Sequence, residues 1–186
     1  MGNRLTKIVT RTGDDGTTGL GDGTRVGKEA LRVAAMGDID EANSAIGCVL
    51  AEPLPEAVRA ALAAVQNDLF DLGGEICIPG RAAMLEEHLR GIERAIEALR
   101  KPLAPLREFV LPGGGRAAAA CHLARAIARR AERSLVALAR KEPVSALGMQ
   151  YLNRLSDLLF IAARAINAAG GHPETQWKPG EGVKGP

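Results

Sequence analysis

From Glu29 onward, apolar residues return at intervals of three and four, the period of a helix with one buried face. Val33, Met36, Ile39, Ala42, Ile46 and Val49 make the first run, which ends before Glu52-Pro53-Leu54-Pro55. Val58, Leu62, Val65, Leu69, Leu72 and Ile76 make the second, closed by Pro79-Gly80. The Gly73-Gly74 pair inside it predicts a close helix contact or a fray point. Leu85, Leu89, Ile92, Ile96 and Leu99 make the third, stopped by Pro102 and Pro105. A connector, Phe109-Val110-Leu111-Pro112-Gly113-Gly114-Gly115, leads into a fourth helix from about Ala117 to Lys141. A fifth runs from about Ser145 to Ala169 and stops at Gly170-Gly171. Five helices with short links predict an all-α, five-helix up-and-down bundle over residues 29–169.

The flanks break this period. Residues 1–28 are rich in Gly, Thr and Asp, a composition of turns with exposed backbone amides, and allow a short strand at Lys7–Thr10. Residues 170–186 are rich in Gly and Pro and read as an irregular tail of the same single domain.

Composition agrees with a helical reading. Hydrophobic residues are 46 % of the chain but aromatics only 3 %, so Ala and Leu supply the packing and let helices approach closely. The balance of 24 basic and 22 acidic residues does not imply nucleic acid, and aromatics for base stacking are scarce. Cys48, Cys77 and Cys121 are widely spaced without a CxxC pair, which predicts buried thiols in a reducing compartment. Lys7 and Arg11 interrupt any early apolar run, and no uncharged stretch reaches membrane-spanning length, so a cytoplasmic location is expected, away from membranes.

Two segments carry anion chemistry. Thr10-Arg11-Thr12-Gly13-Asp14-Asp15-Gly16-Thr17-Thr18-Gly19, with Lys28 downstream, combines unobstructed N–H donors, hydroxyls and cations, as phosphate binding requires. It is neither a Walker A motif nor an EF-hand loop. On the fourth helix, Arg125, Arg129 and Glu132 share a face, Arg133 lies at its edge and Arg130 points elsewhere, while Leu123, Ile127, Leu135 and Leu138 serve the core. Four arginines against one glutamate leave local positive charge in the side chain best shaped to grip phosphate. A solvated charged face is the competing reading.

Asn153, Asp157 and Arg164 form a polar stripe on the fifth helix beside Phe160, suited to an internal site, a subunit interface or an inter-helix network. Asp40 and Asn43 share a face near the start of the first helix, where a carboxylate complements the helix dipole or orients an arginine of the fourth. His88, His122 and His172 form no metal pair and read as surface or filler residues.

TRTGDDGTT, GDIDEANSAIG, FVLPGGG, RAIARRAER and YLNRLSDLLF, in this order, resemble the PduO-type ATP:cob(I)alamin adenosyltransferases over about Thr10 to Ile166. The resemblance implies a homotrimeric five-helix bundle with ATP held between subunits. It implies transfer of the 5′-deoxyadenosyl group of ATP to the cobalt of cob(I)alamin, with Mg²⁺ accompanying the nucleotide and triphosphate released. By motif position, Thr10, Arg11, Thr12, Gly13, Thr18 and Lys28 match the triphosphate segment. Arg129, Arg130, Glu132, Arg133 and Asn153 match ATP-contacting positions. Arg125 matches an arginine paired with a first-helix aspartate, here Asp40, and Phe109 matches a phenylalanine on the lower face of the corrin ring. A cobalamin reductase and an adenosylcobalamin-dependent enzyme are the partners implied. The alternative reading is a helical carrier that binds and delivers finished adenosylcobalamin; a carrier has no need of the ATP apparatus.

Overall fold

The computed structural model describes residues 9–183. Five helices follow a small hairpin: β1 (Thr17–Gly19), β2 (Arg25–Gly27), α1 (Leu31–Leu50), α2 (Glu56–Cys77), α3 (Glu86–Arg100), α4 (Arg116–Ala139) and α5 (Ala146–Ala169). All five lie where the apolar period puts them. The strand expected at Lys7–Thr10 is not found: Lys7 and Ile8 lie outside the described residues, and Val9 and Thr10 are irregular. Instead β1 and β2 pair antiparallel, with Thr18 opposite Val26.

α4 is the central helix, packed most extensively on α1 and α5, while α2 lies against α1 and α3 against α5. Its inward face is Ala117, Ala118, Cys121, Ala124, Ala128, Ala131, Leu135 and Leu138, all buried. These small side chains bring α1 and α5 close, as the alanine content predicts. Leu62, Leu69, Leu72, Leu152, Leu155 and Leu158 fill the space between helices, each burial contributing about 1.5–3 kcal/mol. Gly148 marks a close approach of α5 to α2, since a Cβ there would lie 2.7 Å from Leu72 Cδ1.

Polar contacts set the directions. Arg32, at the start of α1, pairs with Glu142 beyond the end of α4, and Arg130 in mid-α4 pairs with Asp38 and Glu41. α1 and α4 are therefore antiparallel, and the hairpin that precedes α1 shares an end of the bundle with the C-terminus of α4. Gly21 N–H also donates to Cys77 O at 2.9 Å, tying the hairpin to the end of α2.

Several local expectations fail. α2 runs unbroken through Gly73 and Gly74, and nothing in the bundle closes on Gly73, so the pair is neither a fray point nor a helix contact. Leu123 is 63 % exposed, on the outward side of α4 with Ala126, Arg129 and Arg133. Of the cysteines only Cys121 is buried, whereas Cys48 is exposed. The tail is irregular as expected, apart from one isolated bridge and a short turn, and it returns to the connector: Val110 bridges Gln176, Leu111 N–H donates to Thr175 O at 2.8 Å, and Trp177 N–H to Phe109 O at 2.7 Å.

Candidate active site

The N-terminal segment folds as a set of short turns held by its own side chains. Asp15 Oδ1 accepts from Thr17 N–H and Oγ1, and Asp22 Oδ1 accepts from Thr24 in the same way. These bonds, the Thr17 N–H first for Asp15 and the Thr24 hydroxyl first for Asp22, hold both carboxyls below the usual carboxylate range. The two aspartates thus brace turns. Arg25 donates to Thr12 O at 2.5 Å and to the Thr17 hydroxyl, while Lys28 Nζ donates to Gly13 O at 2.7 Å. Arg11 takes a φ of +61°, and the Thr10 and Thr12 hydroxyls lie 3.0 Å apart. Thr10, Arg11, Thr12, Gly13 and Lys28 are thereby gathered into one exposed loop, with Thr18 adjacent on β1.

A second part lies on α4. Arg129, Glu132 and Arg133 line one groove with Val136, Ala137 and Arg140. Glu132 accepts from Asn153 Nδ2 at 3.1 Å, which carries the groove onto α5, and Asn153 Oδ1 accepts from Arg154 at 2.8 Å. Arg129 and Arg133 enter no ion pair among the described residues, whereas Arg154 pairs with Glu93. Arg130 turns away as its helical angle predicts. Its guanidinium is committed to Glu41 and Asp38, whose bonds raise its pKa. Of the expected ATP-contacting positions, then, Arg129, Glu132, Arg133 and Asn153 converge and Arg130 does not.

Asp40 lies in the middle of α1, not in its first turn, so the helix-dipole reading fails. It is exposed and enters no ion pair among the described residues. Asn43 turns inward and exchanges hydrogen bonds with Gln66 of α2. Arg125 has its Nε buried with no partner, and one turn earlier both ring nitrogens of His122 are also buried and unpaired. His122 is 4 % exposed and edge-on to Phe160, a filler of the core as expected, at the cost of an imidazole buried without hydrogen bonds. Burial first, then the Arg125 charge, holds its pKa below the ordinary histidine value. His88 instead accepts from Leu85 N–H at 2.9 Å and caps α3.

Phe109 stands just before α4, 76 % exposed, with Trp177 edge-on at 6.3 Å. The start of α4 is about 20 Å of helix rise from Arg129. Two buried groups hold this end together: Asn167, which the sequence did not single out, and Arg164, which it placed in the polar stripe of the fifth helix. Asn167 donates to Gly113 O at 3.0 Å and accepts from Gly115 N–H at 3.1 Å, clamping the glycine turn. Arg164 leaves the expected polar stripe, turns inward and pairs with Glu174 of the tail at 2.6 Å, while also donating to Ala104 O. Elsewhere the Cys121 thiol donates to Leu159 O, and burial pushes its pKa up to about 12, which keeps it inert. Among the described residues no helix is long and apolar enough to cross a membrane, and no group of three or more metal-ligating side chains occurs.

Comparison with known proteins extends this geometry. The family model described as cobalamin adenosyltransferase matches residues 8–166. A cobalamin adenosyltransferase of Cupriavidus metallidurans is 55 % identical over 179 residues, covering 96 % of this chain and 97 % of that one. A corrinoid adenosyltransferase of Bacillus subtilis is 42 % identical over 179 residues, covering 92 % of each. Among solved structures, a phenylalanine-to-histidine variant of a PduO-type ATP:corrinoid adenosyltransferase from Lactobacillus reuteri, complexed with cobalamin and ATP, matches with a TM-score of 0.88. It is 32 % identical, over 93 % of this chain and 97 % of that one.

Proposed function

The chain belongs to the cobalamin adenosyltransferase family, and from that premise we propose how its site works: it transfers the 5′-deoxyadenosyl group of ATP to the cobalt of cob(I)alamin. The observation that carries this reading is the α4 groove, where Arg129 and Arg133, neither in an ion pair among the described residues, stand beside Glu132 and Asn153, with Arg133 donating to Arg129 O at 3.1 Å. A carrier of finished adenosylcobalamin would have no use for it.

The cobalt(I) electron pair attacks C5′ of ATP. The Co–C5′ bond forms as the C5′–O bond breaks, and that bond's electrons leave with triphosphate. The nucleophile needs no protein base. The protein's tasks are to hold C5′ in line with cobalt and to stabilise the departing charge. Arg129 and Lys28 carry leaving-group charge, with amides of the Thr10–Gly13 loop as further donors. The donor set fits a Mg²⁺ held mainly by phosphate oxygens and water, as Mg²⁺ with nucleotides usually is, and Glu132 is the carboxylate in the groove. When bound, the ion would neutralise phosphate charge.

Phe109 serves the corrin. An exposed phenyl ring offers no ligand atom, so filling the lower axial position with it keeps cobalt from regaining a ligand there and eases reduction of cob(II)alamin to the nucleophile.

The assembly is a homotrimer with sites shared between subunits. Its support is that Arg125 Nε has no partner within the chain, Leu123 is exposed on the outward face of α4, and Asp40 is exposed on α1 without an ion pair among the described residues. Asp40 of a neighbouring copy supplies the carboxylate Arg125 lacks. A cobalamin reductase supplies the electron, the protein acts in the cytoplasm, and an adenosylcobalamin-dependent enzyme receives the product.

The test is to mix the protein with ATP, Mg²⁺ and chemically reduced cobalamin and follow the corrin spectrum. Conversion to adenosylcobalamin is expected, and Arg129→Ala should lose roughly 100-fold or more in kcat with an unchanged circular dichroism spectrum. A folded wild-type protein giving no conversion refutes the reading.

A further inference from the structure

Arg140 belongs to none of the motifs that carry the family resemblance. It stands at the C-terminal cap of α4, exposed, and lines the same groove as Arg129 and Arg133. The spacing makes this one ladder. From Arg129 to Arg140 the helix turns through about three full turns plus 20° and rises about 16 Å, so the two side chains point almost the same way along one face. Between them the groove floor is Val136 and Ala137, which offer no competing polar group.

The charges along this face are not internally balanced. Arg129, Arg133 and Arg140 enter no ion pair among the described residues. Arg130, one position from Arg129, is committed to Asp38 and Glu41, and Arg154 to Glu93. The carboxylate of the groove, Glu132, is engaged by Asn153. Three guanidiniums in one channel therefore repel one another, and a polyanion laid along it offsets that repulsion. Polarity along the channel is also set. α1 and α4 are antiparallel, so the Gly/Thr loop with Lys28, just ahead of α1, lies at the Arg140 end of the bundle.

Resting on the adenosyl-transfer reading above, we propose that Arg140 is a phosphate-positioning residue that holds the terminal phosphates of ATP, and then of the released triphosphate, at the end of the channel farthest from C5′. Arg129 lies nearer the bond that breaks. Arg140 therefore acts on how tightly the nucleotide and the triphosphate are held, and little on the chemical step. A cation at a helix C-terminus also complements the helix dipole. That contribution moves the melting temperature alone and leaves ligand affinity unchanged.

The test uses the full chain carrying Arg140→Gln or Arg140→Lys, with inorganic tripolyphosphate as probe, both by calorimetry and as an inhibitor competing with ATP in the cob(I)alamin assay. Arg140→Gln is expected to raise the tripolyphosphate Kd and the ATP KM together by roughly ten-fold, with kcat within about three-fold of wild type. Arg140→Lys is expected to recover most of the loss, because it restores charge without the fork. Tripolyphosphate Kd and ATP KM that stay at the wild-type values in Arg140→Gln overturn the proposal, as does a fall in kcat with KM unchanged. If Arg129→Ala abolishes turnover while Arg140→Gln is indistinguishable from wild type, this inference fails and the adenosyl-transfer reading stands. A folded wild type that makes no adenosylcobalamin sinks both.

Discussion

Replacing Glu174 with alanine should release the C-terminal segment from the connector while the bundle stays folded. The Arg164 guanidinium is 7 % exposed and its carboxylate partner 27 %, so the pair is largely withdrawn from water. Removing one partner of such a pair strands a buried charge, which costs about 3–5 kcal/mol in full burial. Because Glu174 retains some solvent, the low end applies, about 3 kcal/mol. Beyond this pair, the tail's backbone holds on the connector are the Thr175 and Trp177 hydrogen bonds, each with a net worth of about 1 kcal/mol. The loss exceeds what these two backbone bonds contribute, and the tail opens locally. At 1.4 kcal/mol per decade, protection of the Leu111 and Trp177 amides against hydrogen exchange should fall roughly 100-fold, while core amides of α4 keep theirs. Trp177 is the sole tryptophan, so its emission should shift toward the solvent-exposed value in the same variant. Glu174→Gln, which keeps the shape and an acceptor oxygen, should lose less. If the Leu111 and Trp177 amides stay within three-fold of wild type in Glu174→Ala, the ion pair is not what holds the tail beside Phe109.

Three further outcomes follow from the same geometry. Gly114 has a φ of +102°, and a Cβ there would collide with the Asn167 amide, so Gly114→Ala should cost about 2–3 kcal/mol and lower Tm by roughly 5–10 °C at fixed protein concentration. An unchanged melting curve would show that the clamp does not need glycine. Asp40→Arg should dissociate the proposed trimer in sedimentation velocity, and adding Arg125→Asp should restore it, since each interface would regain an opposite pair. An intact trimer in the single variant rejects the shared pairing. Phe109→Ala should lose at least ten-fold in rate starting from cob(II)alamin with reductant, yet run near wild type on pre-reduced cob(I)alamin. Equal losses on both routes would remove the axial-ligand role.

The helices were legible because each buries one continuous apolar stripe, and proline or glycine marks each end. What escaped is what periodicity does not encode. β1 and β2 are three residues each, too short to show alternation, and their pairing is set by Asp15, Asp22 and Arg25 bonds that are local in space but not in pattern. Leu123 looks like a core residue by type, yet its angle puts it outside with Arg129. The tail is irregular as its composition says, but its docking was not legible because it comes from a pairing with residues some 65 positions earlier. The groove on α4 was legible by residue type and spacing, since Arg129, Glu132 and Arg133 must share a helical face, and they do line one groove. Asn167, Arg164 and Glu174 hold the connector and the tail beside Phe109 through buried polar contacts, and a lone Asn or Arg in a helix does not announce its partner.

The central claim is that ATP is cut at C5′–O and not between phosphates. Phosphorus NMR of the completed reaction with cob(I)alamin tests it most directly, read beside the yield of adenosylcobalamin. The account predicts one intact triphosphate for each adenosylcobalamin formed, with no ADP. Adenosylcobalamin absent while ADP and inorganic phosphate accumulate would contradict it.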